Sequence, residues 1–198
     1  MIENNLISHK SINNKVKTKV HWKSYILSII YWPIIATQIV LVFFYYNFYQ
    51  FDIFHWLGWG SLGLFLVIGG LPKKAFKKYG DTEEGKSYLH TTKLVDKGIF
   101  GIIRHPYWLC WIILSISVTL ISQHIIMIIL TIIVLPIIYF ETFSLDKGLI
   151  AKFGEDYKKY KKRVPRMNLI LGLMKYTLLL KNNSKDNPGD LLIHGNEK

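Results

Sequence analysis

Two groups of ionisable residues bracket one long apolar stretch of the sequence. Arg104 and His105 stand directly before it, with Pro106 as the next residue, and Glu141 and Asp146 stand directly after it. Guanidinium, imidazole and carboxylate groups are the side chains that bind charged ligands and move protons. Such groups at the mouth of an apolar segment are costly to place, which makes them candidates for a functional site.

The elements that must position these residues are visible as uncharged blocks at residues 25–46, 53–71 and 107–140. A bilayer core of about 30 Å needs roughly 20 apolar residues per helix, so the first two blocks predict one span each. The third block is long enough for two spans and breaks at Ser122, Gln123 and His124. We therefore predict an all-α, polytopic membrane protein with about four transmembrane helices.

The basic residues predict the orientation of these helices. Five Lys and Arg residues precede residue 25, eight lie in residues 72–104 and twelve follow residue 146, which accounts for all 25. Four spans with both termini on the cytoplasmic side place every one of them on that side, as the positive-inside rule requires. Because topology explains the charge of +12, the expected partners are membrane lipids and not nucleic acid.

The C-terminal part predicts a further helical segment outside the spans. Apolar residues recur at helical spacing in residues 153–166 with lysines between them, which is typical of an amphipathic helix on a membrane surface. Residues 167–180 are apolar but too short to span, so we expect them in the interface or re-entering. We assign residues 1–180 to a single domain and residues 181–198 to a disordered tail. The lone Cys110 excludes an internal disulfide and a cysteine-based metal cluster, and we predict no metal site.

A hairpin of the third and fourth spans would bring the two ionisable groups together. Pro106 suits a first helical turn, where its missing N–H is not needed. The fourth span then returns to the same face of the membrane, at the level of Arg104 and His105. The alternative is structural: Arg104 could extend to lipid phosphates, and each acid could pair with a loop lysine.

Two segments together resemble a known family. "LVDKGIFGIIRHPYWLCW", residues 94–111, precedes "LDKGLIAKFGEDYKKYKKRVPR", residues 145–166. Their order and spacing resemble the isoprenylcysteine carboxyl methyltransferase and phospholipid methyltransferase family of integral membrane enzymes. That family's pattern is Arg-His-Pro-x-Tyr-x-Gly, a hydrophobic span, Glu-Glu, then Phe-Gly-x-x-Tyr-x-x-Tyr with Val-x-Arg.

The resemblance implies methyl transfer from S-adenosylmethionine at the cytoplasmic membrane face. The implied acceptor is a lipid-like or isoprenoid amphiphile bearing a carboxylate. Arg104 and Glu141 are the implied catalytic residues. The residues implied to bind the cofactor are His105, Pro106, Tyr107, Trp108 and Asp146.

The sequence departs from the family pattern at several positions. Trp108 stands for its Tyr, Cys110 for its Gly, and Leu145 with Asp146 for its two Glu residues; Glu141, one helical turn before Leu145, could compensate. Lysines 158, 159, 161 and 162 favour a carboxylate acceptor over an amine. The alternatives are a phospholipid N-methyltransferase, an NADPH-dependent membrane reductase, and a non-catalytic membrane protein of the same fold.

Overall fold

The chain forms a bundle of helices that pack along one another. The structure, a computed structural model, describes residues 27–80 and 94–186, and these ranges contain helices and no strand. The predicted all-helical fold is therefore confirmed for this part of the chain. The helices are α1 Leu27–Phe44, α2 Asp52–Tyr79, α3 Ile99–Ile102, α4 Pro106–Ser122, α5 Ile125–Arg163 and α6 Leu169–Asp186.

Three of these helices, α1, α2 and α5, are long and apolar enough to cross a membrane. Their outward faces carry large apolar side chains, including Phe43, Leu66 and Ile132, as contact with lipid requires. The helix α4 has 17 residues and lies between α2 and α5. The core between α1, α4 and α5 is apolar and includes Ile35, Leu114 and Val134.

The predicted break in the third apolar block, at residues 122–124, is confirmed. Helix α4 ends at Ser122, Gln123 takes a left-handed conformation with φ of 58°, and His124 caps the start of α5. The Gln123 side chain donates to the Asn47 side chain and exchanges hydrogen bonds with the Phe51 backbone. These bonds hold the α4–α5 turn against the α1–α2 connection.

A buried polar network sets the register of α4 and α5 near the middle of the bundle. Gln38 of α1 donates to Thr131 of α5 at 2.8 Å and accepts from Ser115 of α4 at 2.9 Å. Ser115 and Thr131 also lie within hydrogen-bond distance of each other, at 3.1 Å. Because an unpaired polar group is costly in this environment, a slip of either helix along the other is disfavoured.

One glycine of α2 is required by close packing. A Cβ atom at Gly58 would lie 2.8 Å from the backbone nitrogen of Ile121 and 3.1 Å from the carbonyl carbon of Leu120. At Gly60 a Cβ would meet nothing within 4 Å. Only a residue without a side chain fits where α2 crosses the end of α4.

The C-terminal half of α5 differs from the sequence-based expectation. The predicted amphipathic helix over residues 153–166 ends at Arg163 and is interrupted at Gly154, where φ is 59°. Its apolar side chains Tyr157, Tyr160 and Val164 are buried within the protein, so the prediction that this face lies on the membrane surface is wrong. Helical spacing identified the apolar face correctly, but it carries no information about whether protein or lipid covers that face.

The last helix, α6, continues through Asp186, six residues into the segment predicted as a disordered tail from residue 181. The rest of the predicted tail, residues 187–198, lies outside the described residues. The apolar part of α6, Leu169–Leu179, is too short to span a bilayer, as the sequence indicated.

Gly58→Ala should destabilise the protein, because the new methyl group meets backbone atoms that cannot rotate away. We expect a loss of about 1–3 kcal/mol, the usual scale of overpacking. The matched control is Gly60→Ala on the same helix, which should not lower stability. Thermal unfolding of both variants in detergent would measure this, and equal stabilities would contradict the assigned α2–α4 contact.

Candidate functional site

The segment before α4 is fixed through its backbone. Pro106 occupies the first turn of α4, as predicted. The N–H groups of Arg104 and His105 donate to the carbonyl oxygens of Pro165 and Arg166, at 3.0 Å each. We refer to residues 164–168, which connect α5 to α6, as the strap. These bonds join the strap directly to the residues that open α4.

Asp146 of α5 is the centre of a buried hydrogen-bond cluster and is only 2% exposed. Its Oδ1 atom lies 2.8 Å from His105 Nε2 and accepts from the Tyr157 hydroxyl at 2.6 Å. Arg104 Nη1 lies 3.1 and 3.0 Å from the two carboxylate oxygens, and Arg166 Nη2 donates to Oδ2 at 2.8 Å. The predicted meeting of Arg104 and His105 with Asp146 across the hairpin is therefore confirmed.

Two members of this cluster, Tyr157 and Arg166, were not among the predicted site residues. Both lie in the quoted motif, in its Phe-Gly-x-x-Tyr and Val-x-Arg parts, so the sequence did carry a signal for them. The break at Gly154 separates Tyr157 from the straight course of α5, and the strap carries Arg166 back to Asp146. An uninterrupted helix over residues 153–166 does not predict these contacts.

Glu141 is also buried, 2% exposed, but it belongs to a separate set of contacts. Its carboxylate accepts from the Ser28 hydroxyl of α1 at 2.6 Å and from the Trp108 indole N–H at 3.0 Å. The Trp108 ring meets the His105 ring edge to face, with centroids 5.8 Å apart. Trp108 thus lies between the two carboxylates, and α1 contributes a residue, Ser28, that the sequence analysis did not include.

The aromatic residues of α4 lie beside Glu141. Tyr107 is 45% exposed, and its ring meets those of Trp108 and Trp111 edge to face at 5.4 and 5.8 Å. Trp111 in turn packs against Trp32 of α1, with centroids 4.4 Å apart. Tyr107 and Trp108 therefore lie at the edge of a cluster of packed aromatic rings. Trp108 is partly buried and Tyr107 is at the surface.

The protonation of His105 follows from its burial. Burial lowers the pKa of the His105 imidazole from its ordinary value, and the hydrogen bond and charge of Asp146 oppose this effect. A lowered pKa favours the neutral imidazole, and in that form the 2.8 Å contact with the carboxylate requires the proton on Nε2. The positive charge around Asp146 then comes from Arg104 and Arg166, with Lys161 Nζ at 3.8 Å.

The cluster has more positive charge and more N–H groups than Asp146 neutralises. Arg104 Nε and Arg166 Nη1 are buried and have no hydrogen-bond partner in the described part of the chain. The Arg166 guanidinium packs on an aromatic ring, with its central carbon 3.4 Å from the Phe143 ring centroid. Two unpartnered donors beside a surplus of positive charge suit an anionic group.

Comparisons with known proteins leave the family open. No family model matches the chain, and no similar curated protein or solved structure was found. No group of three or more potential metal ligands occurs among the residues that the structure describes.

Asp146→Asn should strongly destabilise the protein, because it leaves the guanidiniums of Arg104 and Arg166 buried without a negative partner. Removing one partner of a buried pair costs about 3–5 kcal/mol. Glu155→Gln, at an exposed position of the same helix, is the matched control and should leave stability unchanged. Chemical unfolding of both variants in detergent distinguishes them, and an Asp146→Asn variant as stable as the control would refute the role of Asp146.

Proposed function

We propose that this protein is an S-adenosylmethionine-dependent methyltransferase that acts on a membrane amphiphile. The observation that carries the proposal is the pair of buried, unpartnered donors on Arg104 and Arg166 beside Asp146. They lie in the segments whose sequence resembles the isoprenylcysteine carboxyl and phospholipid methyltransferases. Three helices able to cross a membrane fit an acceptor that reaches the site from the lipid phase.

The residues fit the charged groups of the cofactor. Arg104 Nε and Arg166 Nη1 would hold its carboxylate through charge-assisted hydrogen bonds. Glu141, which accepts from the neutral donors Ser28 and Trp108, would attract its positively charged ammonium or sulfonium. The faces of Trp108 and Tyr107 provide surfaces for the adenine or the sulfonium.

Asp146 has a positioning role in this proposal and no direct contact with the cofactor. Its two oxygens already accept from Arg104, His105, Tyr157 and Arg166, which leaves no place for an ammonium group. It fixes the two guanidiniums, and His105 completes its hydrogen bonds as a neutral donor. Preorganised donors of this kind need no reorganisation during the reaction.

Methyl transfer from this cofactor needs no nucleophilic side chain on the protein. The cofactor supplies an electrophilic methyl group, and the protein must align the acceptor with it and exclude water. Arg104 would contribute to catalysis by fixing the cofactor. Glu141 would contribute through its negative charge in a site that water does not reach.

The proposed topology has four spans with both termini on the cytoplasmic side. Helix α4 is the third span in chain order, in addition to α1, α2 and α5: its 17 residues reach about 26 Å at the usual rise per residue, and neighbouring helices cover it. The Arg104–Asp146 cluster then lies at the cytoplasmic face. An anionic head group on the acceptor fits the exposed lysines that follow Gly154, so a carboxylate is favoured over an amine.

A second candidate is an NADPH-dependent membrane reductase. The surplus positive charge at Asp146, from Arg104, Arg166 and Lys161, would also suit a phosphate group. This observation does not depend on the methyltransferase resemblance. The two functions require different ligands, so binding separates them.

The test is thermal stabilisation of the purified full chain by S-adenosylhomocysteine and by NADPH. Saturating S-adenosylhomocysteine, at about 100 times its Kd, should stabilise the protein by about 2.7 kcal/mol. Arg166→Met should lose this stabilisation, and Lys159→Met, at an exposed position, should keep it. Stabilisation by NADPH alone would favour the reductase, and no effect of either ligand would favour a non-catalytic protein.

A second stage of the same test identifies the acceptor. Membranes containing the protein are incubated with methyl-labelled cofactor and extracted with organic solvent. We expect label in the organic phase that is released by mild base, as a methyl ester requires. Base-stable label would assign an amine acceptor, and label found solely in water-soluble products would overturn the lipid-phase acceptor.

A further inference from the structure

The helix α6 touches the rest of the described protein along a single narrow face. A Cβ atom at Gly172 would overlap the carbonyl oxygen of Ile102, so the two backbones are in direct contact. One turn further on, the Tyr176 ring lies 3.3 Å from the Cβ position of Gly101. Glycines at both contacts let α6 lie directly on α3.

Over Leu169–Leu179, the remaining surface of α6 is uncovered and, apart from Lys175 and Thr177, apolar. Ile170 is 75% exposed, and Met174 and Leu178 are each 58% exposed. Leu171, Leu173 and Leu179 are also exposed. The one polar uncharged side chain in this stretch, Thr177, bonds to the carbonyl oxygens of Leu173 and Met174 and so presents little polarity outward. Exposed apolar surface of this extent indicates contact with another apolar phase.

We propose that α6 lies in the outer part of one bilayer leaflet, on the side of the Arg104–Asp146 cluster, with its apolar face against lipid. Its apolar part, Leu169–Leu179, is about 16 Å long at the usual rise per residue, roughly half of the hydrocarbon core. It therefore enters the membrane without crossing it.

The position of α6 in the fold points to lipid as the occupant of this face. It packs on α3, which ends four residues before α4 begins, so it lies at the end of the bundle where a bilayer surface would be. Like the outward faces of α1, α2 and α5, it exposes large apolar side chains. Lys175 lies within the apolar stretch and Lys181 follows it. From these positions their ammonium groups can reach lipid phosphates.

This placement has a consequence for the cluster around Asp146. The strap leads into α6, and its residues Pro165 and Arg166 accept the backbone hydrogen bonds of Arg104 and His105. Lipid that holds α6 against α3 therefore also holds Arg166 at Asp146. The inference concerns the membrane contact alone and does not require that the protein bind S-adenosylmethionine.

Depth-dependent fluorescence quenching tests the proposal with the full chain. Single cysteines are introduced at Met174, Ile132 and Lys162 in a Cys110→Ser background, labelled, and reconstituted into vesicles of phosphatidylcholine and phosphatidylglycerol. Ile132, on the exposed face of α5, is the deep reference and should be quenched most by a lipid carrying its quencher near the chain end. Lys162 is the aqueous reference and should be quenched by iodide.

The label at Met174 should be quenched most by a lipid whose quencher lies next to the head group, and only weakly by iodide. Quenching by iodide equal to that at Lys162 would overturn the proposal, as would quenching at the depth of Ile132. Disulfide formation between Met174→Cys copies would assign the face to a second copy of the chain. Ile170→Cys, on the same exposed surface, provides a second site should the Met174 variant fail to fold.

Discussion

Removing a carboxylate from water is costly, and Asp146 is removed almost completely. Its charge is tolerated because donors converge on it from the start of α4, from the segment after Gly154 and from the strap. Val164 of the strap also packs with Tyr157 and Tyr160 of the segment after Gly154. Asp146 is the carboxylate to which side chains from all three parts bond, and so it fixes the positions of the ionisable groups in the cluster.

The same constraint produces a binding property. Two guanidiniums, those of Arg104 and Arg166, bond to the Asp146 carboxylate, but a single positive charge is enough to neutralise it. One positive charge and two N–H groups, Arg104 Nε and Arg166 Nη1, therefore remain. Glu141 lies on the other side of Trp108 and accepts hydrogen bonds from the neutral donors Ser28 and Trp108. Separated regions of positive and negative potential suit a ligand that carries both charges, as an amino-acid-bearing cofactor does.

Much of this arrangement could be predicted from the sequence. The break at Gln123 and the apolar lengths on either side dictate a hairpin, and the hairpin brings Arg104 and His105 to Asp146. Pro106 at the first turn of α4 follows from its missing N–H. These features depend on periodicity, length and charge placement, which the sequence shows directly.

Other features depend on backbone conformation and on the neighbours of a helix, which the sequence does not show. In the sequence, nothing distinguishes Gly154 from an ordinary helical position. In the structure its φ is positive, and this break in the helix directs Tyr157 to Asp146. Gly58 and Gly60 look equivalent, although only Gly58 meets a backbone. Ser28 gives no signal at all, because its role arises from the packing of α1 against α5.

We propose that Arg104 and Arg166 bind the carboxylate of S-adenosylmethionine. The most direct measurement compares the affinities of S-adenosylhomocysteine and an analogue without its carboxylate, in the wild type and in Arg166→Met. Loss of a charge-assisted hydrogen bond is worth about 1.5–3 kcal/mol, so the analogue should bind the wild type roughly ten- to a hundredfold more weakly. In Arg166→Met the difference should shrink. An analogue that binds the wild type as tightly as the parent compound would contradict the account.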